Sequence, residues 1–143
     1  MVEYRVTTAA RMVGVGDDVF RRWIAKGALV SGRDSGNRMI VDGADLATFL
    51  RDNPGLGPDD PRPGDTSARN HMVGLVTSVV SDLVMAKVEI QAGPHRVVSV
   101  MSSEAARELR LEPGSLAVAV VKSTDVIIET PTVGQDSGPG RSS

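Results

Sequence analysis

Residues 67–77, Ser-Ala-Arg-Asn-His-Met-Val-Gly-Leu-Val-Thr, join a short polar motif to an alternating strand pattern. From Asn70 onward the side chains alternate with a period of two, which is typical of a β-strand with one buried face. The segments 83–90, 97–101 and 116–129 continue as apolar, β-branched strands. The second half of the chain is therefore predicted to be mainly β.

One short helix interrupts this β pattern. Ser102-Ser103-Glu104 begins it, because serine caps a helix N-terminus and an early acid suits the helix dipole. The helix is predicted over 105–111, and Glu112-Pro113-Gly114 ends it.

A second polar motif, Val121-Lys122-Ser123-Thr124, breaks the apolar run 116–129. The break predicts either a bend or bulge or a ligand site. Both polar motifs combine a hydroxyl with a cation, and no carboxylate occurs in them before Asp125. This set suits an oxyanion dianion, which offers only acceptor oxygens and needs N–H and O–H donors with positive charge.

The opposite interpretation is that these cations serve only to solvate strand ends. Arg69 and Lys122 would then pair on the surface with one of three carboxylates and contribute little stability, the candidates being Asp82, Asp125 and Glu129. The residue types alone favour this alternative, and Asp82 is predicted to form a turn and not to act as a base.

Composition excludes several functions. The chain has 143 residues, two histidines and no cysteine, which rules out disulfides, thiolate zinc sites and cysteine nucleophiles, and since two histidines cannot build a metal site alone we expect no metal centre. No nucleophile and base are paired in the sequence, so we do not expect an enzyme. The N-terminus lacks the apolar run of a signal peptide, and no apolar stretch reaches membrane-spanning length, so a cytoplasmic protein without a membrane partner is expected.

The chain is predicted to form two domains. Residues 54–66 are rich in Pro, Gly and Asp and read as a linker between a domain at 1–53 and a domain at 67–130. The tail 131–143 is small and polar and is predicted to be disordered. The net charge of −2 is split unevenly, with a small positive excess before residue 54.

The first domain begins with two predicted helices. Thr7 or Thr8 is expected to cap a helix that runs through Met12, and a sharp turn follows at 14–16. Asp17-Asp18 then opens a second helix, where acidic residues suit the N-terminal dipole. Its apolar face is expected to lie in the core and to include Trp23.

A hairpin and a third helix complete the first domain. The segments 28–30 and 39–41 are predicted to pair around a turn at 34–37. A helix over 42–50 follows.

These elements resemble the winged helix-turn-helix of MerR-like and excisionase-like DNA-binding domains, through Val6-Thr-Thr-Ala-Ala10, Val19-Phe-Arg-Arg-Trp23 and Gly36-Asn-Arg-Met-Ile40. The resemblance implies that the second helix enters the major groove of double-stranded DNA and that the hairpin touches the backbone or minor groove. The contacts it implies are four arginines: Arg21, Arg22, Arg33 and Arg38.

Two alternatives remain for this domain. Arg21 and Arg22 lie four residues after Asp17 and Asp18 and could form exposed ion pairs worth about 0.2–0.5 kcal/mol each. Small helical units are also reused to dock proteins.

The second domain contains a series of short motifs in a fixed order: Ser67-Ala-Arg-Asn70, Gly74, Asp82, Met85-Ala86, Gly93-Pro94, Ser103-Glu-Ala105, Leu111-Glu-Pro-Gly114 and Val121-Lys-Ser-Thr124. Through these motifs it resembles the Mop domain of molbindins and ModE-type regulators. The resemblance implies a small OB-like β-barrel that forms an even-numbered homo-oligomer, from dimer to hexamer. It also implies molybdate or tungstate bound between subunits by Ser67, Arg69, Lys122 and Ser123.

The fold class expected is thus α+β, with a winged helix-turn-helix followed by an OB-like β-barrel that carries one short helix. The function expected is a molybdate- or tungstate-binding transcription regulator. The alternative is an intracellular storage or buffering protein whose helical module serves assembly or partner docking.

Overall fold

The computed structural model describes residues 1–58 and 70–132. The first half contains three helices and a three-stranded antiparallel sheet of order β1-β3-β2. In chain order its elements are β1 (Glu3–Arg5), α1 (Val6–Val13), α2 (Asp17–Ala25), β2 (Ser31–Arg33), β3 (Met39–Asp42) and α3 (Gly43–Asp52).

The second half is an antiparallel sheet of order β6-β5-β4-β7 with one short helix. Its elements are β4 (Asn70–Ser81), β5 (Met85–Ala92), β6 (His95–Ser102), α4 (Ser103–Glu108) and β7 (Leu116–Val121), followed by a 3-10 turn at Ser123–Asp125.

The first helix begins at Val6, two or three residues earlier than a cap at Thr7 or Thr8 predicts. Arg5 is its N-cap residue and gives no side-chain cap, so the expected capping by Thr7 or Thr8 is wrong. The reason is that β1 runs directly into α1, and pairing of Arg5 with Ile40 holds Arg5 in the extended conformation. The helix ends as expected at Gly14, which has a φ of 81°.

The hairpin is displaced from its predicted position. Its first strand is Ser31–Arg33 and not 28–30, because Leu29 is buried in the core and the Ala28 N–H donates to the Trp23 carbonyl at the end of α2. The predicted turn is confirmed, since the Asp34 carboxylate accepts hydrogen bonds from the N–H groups of Gly36 and Arg38, both at 2.9 Å.

The first half packs around an apolar core of helix and strand residues. Phe20, Leu46 and Leu50 are among its largest fully buried side chains. Trp23 is half-buried against this core, as expected, with its ring centroid 6.3 Å from that of Phe20 and 5.3 Å from that of Phe49. Each large buried side chain stabilises the fold by about 1.5–3 kcal/mol.

In the described part of the second half the four strands form one open sheet with β6 and β7 as its edges, so the expected OB-like barrel is present as a half-barrel. The last strand ends at Val121 instead of continuing to 129. The chain turns there into the 3-10 turn, which confirms the bend predicted at the second polar motif.

The short helix is capped as the sequence predicts. The Ser102 hydroxyl accepts a hydrogen bond from the Ala105 N–H at 3.0 Å. The helix is shorter than the predicted span 105–111, because Arg110 adopts a left-handed φ of 54° and the Leu111 N–H donates back to the Ala106 carbonyl.

The two halves are in direct contact. Leu75 of β4 is fully buried within the core of the first half, and the Tyr4 hydroxyl donates a 2.6 Å hydrogen bond to the Gly114 carbonyl. The beginning of the predicted linker also packs on the first half: Leu56 contacts its core, and the Gly57 N–H donates to the Val13 carbonyl at 3.3 Å. The remainder of that linker, 59–66, and the tail from 133 lie outside the described residues.

Candidate functional site

The register of β4 against β7 brings the two polar motifs to one end of the sheet. Asn70, the last residue of the first motif, is the partner of Val121, the first residue of the second. The Asn70 side-chain amide also donates to the Val121 carbonyl at 3.2 Å. The two polar motifs are therefore neighbours at one end of the sheet, although fifty residues separate Asn70 from Val121 in the sequence.

Lys122 and Ser123 follow directly beyond this pairing. Lys122 is extended and precedes the 3-10 turn, which the Asp125 N–H closes by donating to the Lys122 carbonyl at 2.9 Å. Both Lys122 and Ser123 are exposed. The other two predicted oxyanion ligands, Ser67 and Arg69, lie outside the described residues.

The alternative interpretation paired Lys122 and Arg69 with surface carboxylates, and the described residues test it for Lys122 alone. Across residues 70–132 no ion pair joins Lys122 to Asp82, Asp125 or Glu129. Asp82 lies beyond the far end of β4, where its carboxylate accepts hydrogen bonds from the N–H groups of Val84 and Met85, both at 2.8 Å. These backbone donors lower the pKa of Asp82, which confirms it as a turn former.

A second polar feature lies in the first half, where four arginines surround a cavity of about 410 Å³. We call it the arginine cleft, and its arginines are Arg5, Arg21, Arg33 and Arg38. Three of the four predicted DNA contacts are therefore brought together from α2 and the hairpin. Arg22 is exposed but does not line the cleft.

Arg5 was missed by sequence reasoning. It reaches the cleft because β1 pairs with β3, and the tripeptide Glu3–Arg5 carries no strand pattern long enough to be predicted. The only available signal was its charge.

A carboxylate that does not line the cleft lies close to one of its arginines. Asp34 Oδ2 lies 3.7 Å from Arg38 Nε. The pKa of Asp34 is lowered, first by the hydrogen bond from the Arg38 N–H, then by that from Gly36 and by the charges of Arg38 and Arg5. In the described part of the chain, Arg21 and Arg22 form no ion pair with Asp17 or Asp18, so the predicted pairs along α2 are wrong.

The inner face of the open sheet forms an apolar groove of about 800 Å³. Its walls come from β5, β6 and β7 and include Ile90, Val97 and Val118. A short apolar segment beyond the 3-10 turn is exposed as well, with Ile127 at 85% and Ile128 at 82% of their full accessibility. The described residues thus leave two apolar surfaces open to solvent.

Two other kinds of site were searched for. Within 1–58 and 70–132 no three His, Asp or Glu side chains are arranged to hold a metal ion. No helix in those ranges is long and apolar enough to cross a membrane.

Comparison with known proteins places the second half in a recognised sequence class. Residues 66–128 match the model of the TOBE domain. Molybdenum-pterin-binding protein 3 of Clostridium pasteurianum is 41% identical over 63 residues, which is 43% of this chain and 93% of that protein. The molybdenum transport protein ModE of Herbaspirillum seropedicae is 36% identical over 70 residues, 48% of this chain but only 26% of that protein.

Two solved structures each match just under half of this chain. MopII of Clostridium pasteurianum is 36% identical with a TM-score of 0.44, covering 46% of this chain and all of that one. A molybdate-binding protein of Sporomusa ovata is 27% identical with a TM-score of 0.45, covering 47% of this chain and all of that one.

Proposed function

The chain belongs to the TOBE domain family through residues 66–128, and from this premise we propose that it binds molybdate or tungstate and uses the bound oxyanion to control DNA binding. The ligand would lie between copies of the second half. The DNA would be bound by the first half, as a winged helix-turn-helix acting in the cytoplasm.

The observation that carries the oxyanion site is the pairing of Asn70 with Val121. It brings the end of one donor-rich motif beside the start of the other, and the four ligands that we propose come from the sequence on either side of these two residues: Ser67, Arg69, Lys122 and Ser123. A cation and hydroxyls at an open strand end fit a dianion that is completed by a second subunit. Bound dianion relieves the repulsion between cations that such an interface brings together.

Titration calorimetry with molybdate tests this site. We expect saturable heat with molybdate and none with sulfate or phosphate at the same concentration. Sulfate is the sharper control, because it is also a dianion and its rejection depends on cavity size. Equal heats from all three anions would mean nonspecific attraction to Lys122 and its neighbours. The absence of heat with molybdate would contradict the proposal that molybdate is the ligand.

The subunits are proposed to assemble as an even-numbered homo-oligomer, from dimer to hexamer, through the second half. The apolar groove and the exposed residues Ile127 and Ile128 support this, since burying each such side chain stabilises an interface by about 1.5–3 kcal/mol. A second copy of the chain is the occupant we propose for both surfaces.

We expect Ile127→Asp with Ile128→Asp to shift the oligomer toward monomer. Sedimentation velocity over a concentration series measures the shift. Val30→Asp is the control, since Val30 is equally apolar and 73% exposed but lies in the first half. An unchanged oligomer in the double variant would show that this segment is not in the interface.

DNA binding is supported by the arginine cleft. Cations from α2 and from the hairpin face one cavity, as they would if α2 entered the major groove and the hairpin followed the backbone. We assign Arg21 and Arg22 to the reading helix and Arg33 and Arg38 to the hairpin, and Arg5 joins them as a backbone contact.

The alternative function is molybdate or tungstate storage, with the first half serving assembly or partner docking. The observation that favours it is the match to molybdenum-pterin-binding protein 3, because the 63 matched residues make up 93% of that protein. DNA affinity distinguishes the two functions: a storage protein would bind DNA weakly and without regard to molybdate.

A further inference from the structure

The two halves of the chain meet at the opposite end of the β4–β7 ladder from the proposed oxyanion site. The β4–β7 pairing runs without a register shift from Asn70↔Val121 to Leu75↔Leu116. Leu75 then enters the core of the first half, where it is fully buried. Five residue steps at about 3.3 Å each separate the two ends by about 17 Å.

A tight backbone contact lies at the inner end of this ladder. Gly114 is buried in the turn just before β7, and its N–H donates to the Val76 carbonyl at 2.8 Å. A Cβ atom at Gly114 would lie 2.7 Å from the Ala44 nitrogen, near the start of α3, and its φ of 96° already disfavours any side chain. Only glycine lets the β7 turn approach α3 this closely.

Tyr4 closes the same contact from the other side. Its hydroxyl donates to the Gly114 carbonyl at 2.6 Å. Burial raises the pKa of Tyr4, which keeps the hydroxyl protonated and able to donate. Tyr4 directly precedes Arg5 in β1. One residue of this strand therefore contacts Gly114, and the next lines the arginine cleft.

We propose that Tyr4 and Gly114 are positioning residues that fix the arginine cleft in one orientation relative to the Lys122 end of the sheet. This inference rests on the proposed function for its regulatory meaning. A rearrangement at Lys122 and Ser123 on ligand binding is then transmitted to the first half through the paired strands β4 and β7, without any requirement that residues 59–69 transmit it. Such coupling requires an element whose arrangement both sites bias, and the ladder with its Tyr4–Gly114 contact is that element.

The orientation is tested directly with spin labels. The natural chain has no cysteine, so Lys26→Cys and Glu104→Cys place one label on each half at exposed positions. The doubly labelled chain is mixed with a large excess of unlabelled chain, so that each oligomer carries at most one labelled copy, and electron–electron double resonance should then give one narrow distance distribution in the otherwise unchanged chain. Gly114→Ala should broaden and shift it, because the added methyl group separates the β7 turn from α3.

Gly93→Ala is the matched control for backbone strain. Gly93 also has a positive φ, 57°, but a Cβ there would meet nothing within 4 Å. We expect its distribution to stay narrow. A narrow, unshifted distribution in Gly114→Ala would overturn the proposal.

Tyr4→Phe is the second variant, and it keeps the ring while removing the donor. Because burial raises the pKa of Tyr4 above 10, the native state holds this proton more tightly than the unfolded state, so folding stability should fall as the pH rises above 10. In Tyr4→Phe, the part of this decrease in folding stability that comes from the Tyr4 hydroxyl should be absent. The same variant should have a broader distance distribution at neutral pH. A distribution as narrow as that of the unchanged chain would contradict the positioning role of the hydroxyl.

Coupling between molybdate binding and DNA binding is tested by a separate measurement of DNA affinity with and without molybdate. In Gly114→Ala, molybdate affinity and DNA affinity without molybdate should both persist, whereas the effect of molybdate on DNA affinity should be lost. An undiminished molybdate effect in this variant would contradict the coupling. If the unchanged chain shows no molybdate effect, the proposed function fails, but the spin-label distances still decide whether Tyr4 and Gly114 fix the orientation.

Discussion

Replacing Lys122 with alanine is expected to weaken molybdate binding by about 10- to 100-fold, as measured by titration calorimetry. The estimate follows from the loss of one charge-assisted hydrogen bond, about 1.5–3 kcal/mol, at a site whose ligand is a dianion. Lys122 is exposed, and in the described part of the chain it makes no ion pair, so its removal should leave the fold of each subunit intact.

Lys87→Ala is the matched control for this variant. Lys87 is an exposed lysine on β5, where it pairs across the sheet with Val80 and Val100, away from the end that holds Asn70 and Val121. It changes the net charge equally, so it should bind molybdate as the unchanged chain does. Equal affinity for molybdate in Lys122→Ala and Lys87→Ala would show that Lys122 does not bind the ligand.

The second large effect is expected from Arg21→Ala combined with Arg33→Ala. These residues bring cations to the arginine cleft from α2 and from the hairpin. If both contact phosphates, their loss should lower DNA affinity by at least about 10-fold and reduce the slope of log affinity against log salt by about 2, since each contact contributes about 0.9. Fluorescence anisotropy over a salt series measures both quantities.

The control for the arginine variant is Lys87→Ala with Arg107→Ala. It removes the same charge from exposed positions in the second half, neither of which lines the cleft. Its salt slope should match that of the unchanged chain. Equal losses of DNA affinity in the two double variants would indicate attraction by net charge alone. No loss of DNA affinity in Arg21→Ala with Arg33→Ala would contradict DNA binding by the arginine cleft and would mean that the first half binds another partner.

Local signals predicted those elements whose ends are set by their own residues. Asp17 begins α2, Asp42 caps α3 by accepting from the Asp45 N–H, and Ser102 caps α4. The predictions failed where a distant contact decides the structure. The β1–β3 pairing moved the start of α1 to Val6, and burial of Leu29 moved the hairpin strand.

The proposed sites were predictable to different degrees. Residue types and motif order pointed to Lys122 and Ser123, but only the register of β4 against β7 brings Asn70 beside Val121. The contact between the halves left no local pattern at all. Leu75 reads as an ordinary strand residue of the second half, yet it is buried in the core of the first, and Gly114 reads only as the end of a helix.

The central claim is that a bound oxyanion changes DNA binding, and the most direct test is the affinity of the full chain for its own DNA site with and without molybdate. The site is first obtained by selection from random duplexes, carried out once in each condition. We predict a difference in affinity of about 5- to 150-fold with molybdate, in either direction, and none with sulfate. Tight DNA binding that is identical with and without saturating molybdate would contradict the account.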